Sequence, residues 1–168
     1  MPNDTIKECI YTAMLLLMEQ KSYDKITVTD ITKKAGVSRM SFYRNFDSKD
    51  DVLFKCAEEC FLEMEKSEGF AQSICTDEFI KNYLAKIRES KAILKSLNKA
   101  GKIDMIFPIL LKYNSIITEK HMNISTDTKE NKLILIYHTG GIFQLIKYWL
   151  QTDFKLSIDE LIGVLKNI

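Results

Sequence analysis

Between Ile26 and Leu53 the chain reads ITVTDITKKAGVSRMSFYRNFDSKDDVL, a stretch whose polar side chains are of the kinds that grip nucleic acid. If Val28, Ile31, Ala35, Val37, Phe42 and Phe46 close a small core, then Thr29, Lys33, Lys34, Arg39, Met40, Ser41, Tyr43, Arg44, Asn45 and Lys49 point outward. Arginine bridges guanine edges, while hydroxyls, tyrosine and lysine hold phosphate oxygens. Other chemistries have thinner material. Cys56 and Cys60 lie one helical turn apart and invite a soft-metal or redox reading, against the plainer one of two thiols on a core-facing helix. His121 and His138 have no Cys, Asp or Glu at ligand spacing, and no Gly-rich phosphate loop or Ser/His/Asp arrangement is present. Neither an enzyme nor a bound cofactor or metal is expected.

The elements that must hold the outward set are helical. Ile6, Ile10, Ala13 and Leu17 recur at steps of four, three and four, which predicts a helix over about Asp4 to Gln20. Thr27-Val-Thr-Asp30 is a capping box that opens a second helix, and Gly36 ends it. Only Val37 separates that glycine from Ser38, the N-cap of a third helix to about Arg44. So short a connection forces the two helices to cross steeply, as in a helix-turn-helix. Ser48-Lys-Asp-Asp51 opens a fourth helix toward Lys66, and Glu68, Gly69 and Ser73 mark a loop. The helix N-termini at Thr27 and Ser48 add amides that favour nearby phosphate. Further helices are expected over Asp77 to Arg88, Lys91 to Lys99, Ile103 to Lys120, Asp127 to Gln151 and Ile158 to Asn167, the last capped by Ser157-Ile-Asp-Glu160.

These residues resemble the TetR family of bacterial transcriptional regulators. The likeness is carried by Thr27-Val28, Ile31, Ala35-Gly36-Val37-Ser38, Phe42-Tyr43-Arg44-Asn45-Phe46 and Ser48-Lys49, and covers roughly the first 65 residues. It implies an all-α dimer with an N-terminal three-helix helix-turn-helix domain over 1–49. A connector helix and a C-terminal helical bundle for effector binding and dimerisation would fill 50–168. By the same resemblance Arg39, Met40 and Arg44 contact base edges, while Thr29, Ser38, Ser41, Tyr43, Asn45 and Lys49 hold the DNA backbone. Asn45 stands where the family most often has histidine and Met40 where a smaller residue is common, so no operator sequence carries over. The arm before the first helix offers only Lys7.

Tyr137-His-Thr-Gly140-Gly141, followed by Trp149-Leu150, resembles a TetR subgroup similar to the regulator of dihydroxyacetone kinase genes. Adjacent glycines within an apolar helix cost about 1 kcal/mol each relative to alanine, which a close helix approach would offset. Gly140, Gly141, Leu145, Leu161 and Leu165 are therefore the expected dimer contacts. Phe79, Tyr83, Phe107, Tyr137 and Trp149 are the candidates to line an effector pocket. The partners implied are a palindromic double-stranded operator, a second copy of the chain, and either a small-molecule effector or a docked metabolic protein.

Composition sets the frame. In 168 residues, 6 Gly and 2 Pro are too few for a turn-rich β architecture, and 46% apolar residues suffice for a helical core. A formal charge of +1 resembles that of a protein indifferent to DNA, but the charges segregate: +4 over residues 21–49 precedes −7 over 50–78. The four cysteines lack paired spacing and the chain opens without a signal-peptide pattern, so reduced thiols in the cytoplasm are expected. The apolar stretch Leu133 to Leu150 carries His138, Gln144 and Lys147, so a helix buried in protein is expected there and not a membrane span.

Overall fold

Hydroxyl caps at Thr27, Ser38 and Thr128 set the starts of three helices. In the computed structural model, which describes residues 2–66 and 77–165, α1 runs Asn3–Gln20, α2 Val28–Ala35, α3 Arg39–Asn45 and α4 Lys49–Lys66. Beyond these come α5 (Asp77–Glu89), α6 (Lys91–Lys99), α7 (Ile106–Met122), α8 (Lys129–Gln151) and α9 (Ile158–Leu165), with 3-10 turns at Tyr23–Lys25 and Ile103–Met105. The architecture is all-α, as expected. The loop expected at Glu68, Gly69 and Ser73, the thiol of Cys75, the side chain of His121, and Asn167 and Ile168 lie outside the described residues.

Two helices start later than their periodicity suggests, for local reasons. Pro108 has no N–H to give the carbonyl of Asp104, so the stretch from Ile103 begins as a 3-10 turn and becomes α-helical at Ile106, which leaves Pro108 in the first turn. Thr128 caps α8 by accepting from the amide of Asn131 at 3.2 Å, so the helix begins at Lys129 and not at Asp127.

The described chain divides into two compact units. The first comprises residues 1–58 with 93–103, and the second 59–92 with 104–168. The sequence suggests a domain boundary at residue 49; the compact units divide within α4. In the first unit Ile10, Met14, Ile31, Phe42, Phe46 and Leu53 are sealed from solvent, and the Phe46 ring meets Tyr11 edge-on at 5.5 Å. Ile93, Leu94 and Leu97 of α6 are also buried. Gly101, at φ +67°, ends that helix as its neighbour Lys102 donates back to the Leu97 carbonyl at 2.8 Å.

In the second unit α7 packs on α8 and α5 on α9. Ile87, Leu110, Tyr113, Ile146 and Trp149 form its dense interior. The Trp149 indole donates to the Leu156 carbonyl at 2.9 Å, so the large ring is buried without stranding its one donor. The Ser157–Glu160 box forms in both directions, at 3.2 and 2.7 Å, and its hydrogen bonds, backbone first, hold the Glu160 carboxyl below its ordinary range. No helix among the described residues is long and apolar enough to cross a membrane.

Candidate nucleic-acid interface

α2 is anchored before α3 is presented. Thr27 Oγ1 accepts from the Asp30 amide at 3.2 Å, and Asp30 accepts from the Thr27 amide at 2.9 Å. Lys21 closes on the same carboxylate at 2.8 Å. With Lys21 and then Thr27 bonded to it, Asp30 ionises well below the usual carboxylate range. Gly36, at φ +67°, then reverses the chain while Val37 donates to the Thr32 carbonyl at 3.0 Å. A residue with a Cβ would be strained at that φ.

Ser38 caps α3 by accepting from the Ser41 amide at 3.0 Å, and the two hydroxyls bond each other at 2.9 Å. Phe42 and Phe46 turn wholly inward and fix the rotation of α3. The opposite face consequently carries Met40, Tyr43 and Arg44, at spacings of three and four, into solvent. Met40 is 74% exposed and Tyr43 58%. Tyr43 meets Phe42 edge-on at 5.3 Å, so one side of this exposed ring leans on the core.

The other candidate residues are more constrained. The Arg39 guanidinium donates to the Thr29 hydroxyl, tying the start of α3 to α2. Asn45 is half-buried and its amide donates to the Ser41 carbonyl at 2.9 Å. Lys49 turns back: its ammonium reaches the carbonyls of Tyr23 at 2.9 Å, Ile26 at 3.0 Å and Asp24 at 3.3 Å. It thus satisfies the open end of the 3-10 turn.

Four supporting residues, Tyr23, Asp50, Lys55 and Lys102, were not apparent from sequence. Tyr23 is buried and its hydroxyl donates to Asp50, which also accepts from Lys102 at 3.1 Å. Burial first, and Asp50 second, push the Tyr23 phenol above its ordinary value; the Tyr23 bond and Lys102 hold Asp50 below its own. Lys55 donates to the carbonyl of Asn45, the last residue of α3, at 3.0 Å and pairs with Asp51 at 2.9 Å. Only the spacing of Asp51 and Lys55, four apart on α4, was a legible signal.

The candidate effector residues fall into separate places. The Phe79, Tyr83 and Tyr113 rings form one cluster at 6.2 and 6.0 Å, and Tyr83, Asn114 and Thr139 form a hydrogen-bonded chain at 3.2 and 3.0 Å. Burial raises the Tyr83 phenol, so it stays a neutral donor. Phe107 pairs with Phe143 at 5.6 Å, Trp149 is closed in the core, and Tyr137 is 74% exposed.

Of the candidate dimer residues, Leu161 is buried within the protomer, Gly140, Leu145 and Leu165 are half-buried and Gly141 is exposed. A Cβ added at Gly140, Gly141 or Gly163 would meet no atom within 4 Å. Around them Leu133 (59%), Tyr137, Tyr148 and Val164 are exposed, residues that the glycine pattern alone did not indicate. Among the described residues no three His, Cys, Asp or Glu side chains gather as metal ligands.

A family model described as bacterial regulatory proteins, tetR family, matches residues 10–56, the stretch that builds α1 to α3 and enters α4. Over that stretch the chain is similar to this family. Within it the chain is 32% identical over 56 residues to the biofilm operon icaADBC HTH-type negative transcriptional regulator IcaR of Staphylococcus epidermidis. The match takes in 33% of this chain and 30% of that protein, so the chain spans under a third of the length of the curated relative it matches. Outside the tetR-family segment the likeness is one of fold. Lin0861 from Listeria innocua superposes with a TM-score of 0.81 at 17% identity, over 98% of this chain and 88% of that one. The fatty acid degradation regulator FadR from Bacillus halodurans gives 0.57 at 19% identity, over 97% and 92%.

Proposed function

We propose that this chain is a DNA-binding transcriptional regulator, a ligand-responsive repressor that binds a palindromic operator as a homodimer. The observation that carries it is the exposed Met40, Tyr43 and Arg44 face of α3, held on a helix-turn-helix of the tetR family. α3 would enter the major groove, with Arg39, Met40 and Arg44 toward base edges and Thr29, Ser38, Ser41, Tyr43 and Asn45 toward phosphates. Lys49 would contribute by fixing the start of α4, since its ammonium is already committed to three carbonyls.

Dimerisation through α8 and α9 is supported by the two apolar faces of α8. Thr139, Phe143, Ile146 and Trp149 face the protomer's interior, while Leu133, Tyr137, Gly141 and Tyr148 form the opposite stripe in water. A two-fold partner laid across Gly140 and Gly141 would bury that stripe, and the dimer would bind two half-sites about one helical turn apart. The effector is proposed to act in the second unit, near the Phe79, Tyr83 and Asn114 cluster, by preferring one of two conformations. The Tyr137-to-Gly141 pattern supports a second reading, a regulator of the dihydroxyacetone kinase type whose C-terminal domain docks a metabolic protein.

Selection of duplexes from a random pool by the full chain, followed by sedimentation of the complex, tests the proposal. A palindromic site bound by two chains is expected. A pool that enriches no duplex overturns the function.

A further inference from the structure

Met40 is the largest apolar exposure within the tetR-family segment, in a seven-residue helix whose neighbours are polar. Several of those neighbours have partners inside the protein: Ser38 and Ser41 bond each other, Asn45 bonds Ser41, and Arg39 bonds Thr29. Met40 sits in the first turn of α3, the end of a recognition helix that approaches base edges. Its thioether gives no N–H or O–H to a phosphate, and Arg44, one turn on along the same face, calls for a polyanion beside it. An apolar side chain in that place needs an apolar group on the DNA. In the major groove of unmodified DNA the base edges present one such group, the 5-methyl of thymine.

We propose that Met40 is a specificity-determining residue that reads a thymine methyl in each half-site. The inference rests on the DNA-binding function proposed above and adds to it the identity of one base. Arg44 supplies the hydrogen-bonding contact and Met40 the methyl contact, so the half-site contains a thymine within one helical turn of the base pair that Arg44 reads.

The test uses the full chain and the duplex recovered from the random pool. Each thymine is replaced in turn, symmetrically in both half-sites, by deoxyuridine, which removes the methyl and nothing else. At one position the wild-type chain is expected to lose about 4-fold in affinity per methyl removed. Met40→Ser, at an exposed site, should bind the thymine and uracil duplexes equally, whereas Met40→Leu should keep the preference. Arg44→Ala should weaken both duplexes and leave their ratio unchanged. Indifference of the wild-type chain to uracil at every position overturns this inference and leaves the DNA-binding function standing. So does a preference that survives in Met40→Ser. Failure to recover any duplex overturns both.

Discussion

The Lys49 ammonium lies 4.3 Å from the centroid of the Tyr23 ring and donates to the Tyr23 carbonyl at 2.9 Å. One side chain at the start of α4 therefore closes the preceding 3-10 turn from two directions. Lys49→Met keeps the stem and loses the charge, and should destabilise the protein by about 1–2 kcal/mol. Denaturant titration measures this. Unchanged stability with weakened DNA binding would instead give Lys49 the phosphate contact expected from the sequence.

The bond from Tyr23 to Asp50 makes stability sensitive to pH at both ends. Asp50 has a lowered folded-state value, so its contribution is present above the ordinary carboxylate range and is lost as pH falls through the lowered value. Tyr23 has a raised value, so its contribution is present below the ordinary phenol value of 10.0 and is lost as pH climbs beyond it. Tyr23→Phe should flatten the alkaline loss and reduce the acid one. Denaturation midpoints of wild type and variant at pH 2 to 6 and 9 to 11 give the difference directly; parallel curves would refute the linkage.

Arg44 is exposed and forms no hydrogen bond or ion pair with the described residues, so Arg44→Ala should leave the melting temperature unchanged. Operator affinity should fall by about 1–3 kcal/mol if the guanidinium reads a base. Unaltered affinity would remove Arg44 from the interface.

Gly141 separates protomer stability from assembly. Nothing in the protomer lies within 4 Å of a Cβ there, so Gly141→Ala should stabilise α8 by up to about 1 kcal/mol. Gly141→Leu should fold equally well by circular dichroism but sediment as a monomer if a partner helix approaches at that point. A Gly141→Leu protein that remains dimeric moves the interface elsewhere.

The legible parts of this protein were those governed by neighbours in sequence. The Thr27–Asp30 and Ser157–Glu160 boxes, the Ser38 cap and the reversal at Gly36 are local devices, and each forms where its residues stand. The inward turn of Phe42 and Phe46, and hence the outward face of α3, follows from the same periodicity. What was hidden depends on distant chain segments. Lys102 reaches Asp50 across 52 positions and Lys49 reaches Tyr23 across 26, and no spacing rule connects them. The aromatic candidates dispersed for a related reason: size and polarity do not tell a buried Trp149 from an exposed Tyr137 on the same helix.

A helix with apolar residues on both sides would make concentration a thermodynamic variable once a second copy paired with it. If the outer stripe of α8 is covered only by a second copy, each dilution withdraws part of what stabilises the chain, and the midpoint of unfolding must drift with protein concentration. Cellular abundance would then set two quantities together, the fraction of operators filled and the fraction of chains that survive proteolysis. A regulator of this kind would lose activity faster than its copy number falls.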